Sequence, residues 1–300
     1  MNIIATIEML VILIVSLLLC CMGFKKFVWF MSVGYGLSSA GIGAAMLIIA
    51  IIYLVKGTMP FDAGAVLFML QSVLFIIYGI RLGGFLLIRE LKNEKYRAKL
   101  AEAGGDAKLP VFVGAFMWIF CGVLYIIQSF GPITRLLNVK YNDGALFSIA
   151  AIIGIVISIV GILFEGIADK QKSAEKAKNP NMPAMNGLFK MCRCPNYFGE
   201  ILFWTGAFVS GVATFKGVGQ WIVACLGFII IVAIMLSGAK RLETRHIKHY
   251  GQIKEYQEYA NKTPLIIPLI PLYHMTSPEK IAKEEAAKKA KAEKKAKGNK

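Results

Sequence analysis

The chain is 300 residues long, 57% hydrophobic and only 17% charged, with a formal net charge of +16. Those proportions exclude a soluble domain, whose surface has to be polar, and the long apolar runs point to an all-α, polytopic membrane protein. The positive charge does not call for nucleic acid, because basic loops beside a bilayer orient helices and attract anionic lipid headgroups.

About seven transmembrane helices are predicted, at 3–22, 32–55, 65–88, 111–130, 145–168, 198–215 and 221–238. The first run has no basic leader or small-residue cleavage pattern, so it reads as a retained helix and not a targeting peptide. The connections alternate in charge. Lys25 and Lys26 lie in the first loop, six basic residues in 89–108, six in 170–193 and fifteen after Gly238, whereas the other side carries only Lys56, Arg135, Lys140 and Lys216. The positive-inside rule then puts the N-terminus outside and the C-terminus in the cytoplasm.

The second span is rich in Gly34, Gly36, Ser38, Ser39, Gly41, Gly43, Ala44 and Ala45, which lets helices approach closely. None of its glycine pairs follows a strand, so a dinucleotide fingerprint is excluded. In the third span Gln71, Tyr78 and Arg81 form a polar stripe in apolar surroundings, with Arg81 either snorkelling to the edge or lining a cavity. Glu165 and Asp169, four apart, close the fifth span at the end where carboxylates oppose the helix dipole; either basic neighbours such as Lys172 or Lys176, or ribose hydroxyls, would compensate.

The most informative stretch is 185–206. Pro195 suits a first helical position, so a helix starts near Cys194 to Asn196, with free N–H groups that favour an anion. Asn196 and Glu200 share one face beside Tyr197, and a carboxylate at that depth predicts a ligand site, with Arg193 or the Asn196 amide as its partner. Cys192 and Cys194 lack a second Cys or His pair, and His246 and His249 lack a third ligand, so no metal site is expected. After Gly238 the pattern is that of an interfacial helix, and from Pro278 onward Lys, Ala and Glu dominate a solvated tail.

The succession Glu165-Gly-Ile-Ala-Asp169, Gly187-Leu-Phe, Arg193-Cys-Pro-Asn-Tyr-Phe-Gly-Glu200, Glu243-Thr-Arg245 and Tyr256-Gln-Glu-Tyr259 resembles the steroid 5-alpha-reductase family, above all its uncharacterised multi-pass relatives. The resemblance runs from about Gln71 to Tyr273. It implies a membrane domain over 1–273 whose cofactor half is about 145–273, a cytoplasmic tail over 274–300, and NADPH held in a cytoplasm-facing cavity. The implied activity is reduction of a conjugated carbon–carbon double bond in a hydrophobic enone lipid, steroid-like or polyprenyl-type. On the same basis Asn196 and Asp169 are cofactor-binding candidates, with Glu165, Arg193, Tyr197, Glu200, Arg245 and Tyr259 on the same cavity, and Tyr78 with Arg81 is the catalytic candidate. The host membrane is either a bacterial inner membrane or the endoplasmic reticulum.

Two departures stand out. Cys194 replaces the histidine that many relatives carry before the Pro-Asn-Tyr, and no carboxylate lies between Ser32 and Val55, where the family's catalytic glutamate should be; Asp62 sits on the outer side. Two other readings therefore stay open. One is an S-adenosylmethionine-dependent methyltransferase resembling the isoprenylcysteine carboxyl methyltransferases, which share a basic-His-Pro-x-Tyr block. The other is a non-catalytic membrane module of the same fold.

Overall fold

The structure, a computed structural model, describes residues 3–94, 97–98, 100, 110–138, 145–283 and 286–287. All regular elements among them are helical: α1 Ile3–Cys20, α2 Val33–Val55, α3 Ala63–Lys92, α4 Val111–Gln128, α5 Phe130–Asn138, α6 Ala145–Lys178, α7 Pro195–Gly211, α8 Gly217–Tyr250 and α9 Lys254–Lys262. Among the described residues, six stretches are long and apolar enough to cross a membrane: Ile7–Phe24, Phe27–Val55, Ala63–Lys92, Val111–Gln128, Ile149–Lys178 and Gly217–Tyr250. The protein is thus all-α and polytopic. The remaining expected span, α7, has 17 residues and a length of about 26 Å, short of the roughly 30 Å hydrocarbon core, and a 3₁₀ turn, Val212–Thr214, extends it.

Two helices outrun their apolar stretches. α6 continues past Ala168 through Lys178, because Ser-Ala-Glu-Lys-Ala-Lys ends the hydropathy but favours the helix. α8 continues past Gly238 to Tyr250, so the expected interfacial helix is the end of the last span and not a separate element. Most of the basic connection after α3 (95–96, 99 and 101–109) and most of the Lys/Ala-rich tail (284–285 and 288–300) lie outside the described residues.

The helices divide into two compact units, the first comprising 1–159 and 202–231, the second 160–201 and 232–300. In the first unit the small residues of α2 do what their size allows. A Cβ on Gly36 would stand 2.5 Å from the Gly83 nitrogen, and one on Gly43 2.7 Å from the Phe75 Cβ, so α2 and α3 meet nearly backbone to backbone. Asp62 caps α3 by accepting from the Ala65 N–H at 2.8 Å. At the other end of α3, buried Glu90 accepts from Lys26 Nζ at 2.8 Å and Trp29 Nε1 at 2.7 Å, tying the turn before α2 to the end of α3.

In the second unit α7 crosses α6 at a glycine. A Cβ on Gly199 would lie 2.6 Å from the Glu165 nitrogen, so only glycine admits this approach, and it brings the start of α7 to the Glu165 turn. The apolar filling around that start is Cys194, Ile201, Ala239, Leu242, Leu265 and Ile266.

Candidate functional site

In the second unit the loop before α7 is fastened from several directions. The carboxylate of Glu175 accepts from the Met185 and Asn186 N–H groups at 2.8 and 3.1 Å, and Gln171 Oε1 accepts from the Leu188 N–H at 2.9 Å. Gly187 takes φ +63°, a backbone conformation that favours glycine, and its bare Cα lies against the Gln171 amide. Tyr259 Oη donates to the Phe189 carbonyl at 2.7 Å, and the Arg193 N–H to the Pro264 carbonyl at 2.8 Å.

Arg193 itself points inward. Its Nη2 lies 3.0 Å from Glu243 Oε1 and also donates to the Tyr273 carbonyl, with both charged side chains almost wholly enclosed. Glu243 further contacts His274 Nδ1 at 3.1 Å and accepts from the Met275 N–H at 2.9 Å. The partner of Arg193 is therefore Glu243 and not Glu200. Packing continues past Tyr273 into the segment expected to begin the tail.

α7 opens at Pro195, as the ring geometry of proline dictates, and its first helical bond is Phe198 N–H to the Cys194 carbonyl at 3.1 Å. The N–H groups of its first turn have no partner within the helix. Asn196 follows at once, and its Oδ1 is enclosed without a hydrogen-bond partner. An unpartnered amide acceptor beside helix N–H groups that α7 itself leaves unsatisfied fits a nucleotide, whose hydroxyls and carboxamide donate and whose phosphates accept. Glu165 on α6 and Glu200 on α7 are buried beside the Gly199 crossing, and Asp169 is half-buried one turn beyond Glu165. Tyr197 packs its ring 3.3 Å from where a Gly238 Cβ would stand, while Arg245 is exposed. Burial pushes the Cys192 and Cys194 thiols up to about 12, with the Arg193 guanidinium opposing the rise at Cys194, and burial likewise raises the Tyr259 phenol.

The first unit, taken by itself, carries the two residues expected as catalytic candidates, Tyr78 and Arg81. Tyr78 is fully enclosed and its ring stacks on Phe203, centroids 3.8 Å apart at 11°. Its hydroxyl lies 3.0 Å from that of Tyr35, and Tyr35 Oη accepts from Trp204 Nε1 at 2.6 Å. α2, where the family resemblance would place a glutamate and this chain has none, thus presents a phenol to Tyr78. Arg81 is half-buried on the next turn of α3. The aromatic wall is completed by Phe75, 5.1 Å from Phe203, and Tyr125, 5.1 Å from Tyr35.

Tyr35 and Trp204 escaped the sequence reading, because a phenol among glycines and an indole in an apolar run carry no periodic signal and lie 169 positions apart. Glu8, a carboxylate buried in α1, escaped it too. Chemically, the indole N–H donates to Tyr35, and with Tyr35 donating in turn to Tyr78 the chain polarises the Tyr78 hydroxyl, each bond strengthening its neighbour. Such a hydroxyl can donate to an oxygen on which negative charge grows.

A family model described as a protein of unknown function, DUF1295, matches residues 35–263. Steroid 5-alpha-reductase DET2 of Arabidopsis thaliana is 28% identical over 132 residues, which cover 43% of this chain and 45% of that protein. The match therefore spans less than half the length of that curated relative. No solved structure matches.

Proposed function

The chain belongs to the DUF1295 family, and from that membership together with the Tyr35–Tyr78 hydroxyl pair we propose that it is an NADPH-dependent membrane reductase of a conjugated double bond in a hydrophobic enone. Its distant similarity to a plant steroid 5-alpha-reductase supports the reaction class. The hydroxyl pair, 3.0 Å apart in an enclosed aromatic setting, is the observation that carries it.

In this reading the second unit holds the cofactor. The Asn196 Oδ1 accepts from its amide or hydroxyl groups, the first-turn N–H groups of α7 meet phosphate, and Glu165, Asp169 and Glu200 supply acceptors for ribose. Tyr197 and exposed Arg245 border that site, whereas Arg193 and Tyr259 hold the loop that shapes it. The charge asymmetry of the connections supports a cytoplasmic side for this half. When bound, the reduced nicotinamide supplies a hydride to the carbon β to the carbonyl.

Tyr78 performs the proton half of the reaction. Its phenol donates to the carbonyl oxygen as charge accumulates there, giving up its proton and becoming a phenolate. Tyr35, whose oxygen is held by the Trp204 indole, then donates to the Tyr78 oxygen and stabilises that phenolate. Arg81 adds positive charge one turn along α3.

The test uses the purified full chain in detergent. NADPH binding is followed by fluorescence and S-adenosylmethionine binding by calorimetry, and NADPH consumption is measured with a 3-oxo-Δ4 steroid and a polyprenyl-type enone. NADPH should bind; Asn196→Ala should weaken it about tenfold, the loss expected of one hydrogen bond to a buried group. Tyr78→Phe should abolish turnover with NADPH affinity unchanged. Binding of S-adenosylmethionine in place of NADPH, or equal turnover by Tyr78→Phe, refutes the assignment.

A further inference from the structure

After α9 the chain folds back on itself as a hairpin, Pro264 to Tyr273, whose tip is apolar: Leu269 is 97% exposed and Ile270 49%. Leu269 is also the one non-glycine among the described residues with a positive φ, +68°, where a side chain is strained and glycine or asparagine would sit at lower cost. Water offers nothing to offset a strained backbone that holds a leucine outward. An apolar contact at the tip would.

The backbone of the hairpin suits a poorly hydrated layer. Pro268 and Pro271 have no N–H, and the N–H groups of Ile270 and Leu272 stay inside the turn, donating to the Ile267 carbonyl at 3.3 Å and the Ile270 carbonyl at 2.7 Å. The Leu265 N–H closes the base on the Leu272 carbonyl at 2.8 Å. Little of this backbone has to be stripped of water in order to leave it, which is the main cost of putting irregular chain against lipid.

Position points the same way. Leu265 and Ile266 share an apolar cluster with Ala239 and Leu242 of α8, and Val232, Met235 and Leu236, from the apolar stretch of the last span, pack against that cluster with Ile267. The hairpin is therefore seated where α8 passes out of the apolar layer. One residue holds both of its ends: the Arg193 N–H donates to the Pro264 carbonyl at 2.8 Å, and the Arg193 guanidinium donates to the Tyr273 carbonyl.

We propose that the hairpin from Pro264 to Tyr273 is a lipid-binding finger, with Leu269 and Ile270 inserted among the acyl chains of the bilayer leaflet that α8 leaves. The partner is the lipid surface and not a second protein, because the base of the hairpin is continuous with the apolar stretch of a membrane-spanning helix. The tip reaches about 5–10 Å into the headgroup and acyl boundary, the depth at which interfacial elements bury an apolar face. The inference stands whether or not the chain is a reductase.

The experiment places an environment-sensitive fluorophore on Leu269→Cys, on Ile270→Cys and on Glu258→Cys, an exposed position of α9, in the full chain reconstituted into phospholipid nanodiscs. Half-buried Cys21 and Cys225 are replaced by alanine, and one dye per chain then shows that a variant is folded, since unfolding would release the four enclosed thiols. The probes at 269 and 270 should emit at shorter wavelength than the probe at 258, lose most of their emission to lipids carrying a doxyl group high on the acyl chain, and be shielded from aqueous iodide. The probe at 258 should lose emission to iodide alone. Either tip variant suffices if the other fails to fold. Iodide quenching at the tip equal to that at 258 overturns the proposal, because the tip is then in water. Shielding from iodide without doxyl quenching overturns it as well, because the tip is then covered by protein.

Discussion

Removing the Glu243 carboxylate should do more damage than any other single truncation in the second unit. Glu243→Ala takes away the acceptor for Arg193 Nη2, for the Met275 N–H and for His274 Nδ1 at once. It also strands a guanidinium that is 4% exposed, and that uncompensated charge dominates the loss. Breaking one partner of a buried pair costs about 4 kcal/mol, which for a chain of this size lowers the melting temperature by about 10 °C. Cys192 and Cys194 flank Arg193 and are buried, so in a chain whose other four cysteines are replaced by alanine a thiol-reactive fluorogenic dye reports the opening of this region on heating. The double variant Arg193→Met/Glu243→Leu should recover most of the loss, because no buried charge remains. A melting temperature for Glu243→Ala within about 1 °C of wild type, or a double variant worse than the single one, would refute the reasoning.

Tyr35→Phe removes a charge-assisted donor to Tyr78 without opening a cavity, and should lower kcat about ten- to hundredfold with KM little changed; steady-state kinetics on the enone substrate check this. Gly199→Ala drives a Cβ into the Glu165 backbone nitrogen and, since neither backbone can yield cheaply, should lower both the melting temperature and NADPH affinity. The Cys192 and Cys194 thiols, pushed up to about 12, hold only about one thiolate in ten thousand at pH 8, so mass spectrometry should find them unmodified by maleimide in the folded protein and modified after denaturation.

What could be read from the sequence divides along a physical line. The start of α7 was legible because proline's fixed φ and missing N–H act locally, and the small-residue seam of α2 because a row of glycines has one use inside a bilayer. The lengths of α6 and α8 were not. Hydropathy marks where a helix leaves the apolar layer, and Lys, Glu and Ala prolong it beyond that point. Gly238 looked like a terminus, yet it sits inside α8, where its bare Cα receives the Tyr197 ring. The hydroxyl pair and the Lys26–Glu90 contact were invisible for a different reason: partners 43 and 64 positions apart leave no mark on local pattern.

The strap formed by Arg193 with Tyr273, and by Glu243 with His274 and Met275, also says where the polypeptide can be cut or extended. Thr276 is buried, and so is Ile281 within the stretch expected to be a solvated tail, while the strap's own bonds end at Met275. A tag, reporter or stop codon introduced ahead of that point would unbolt the Arg193 loop, whereas one placed after Lys283 would leave those bonds untouched.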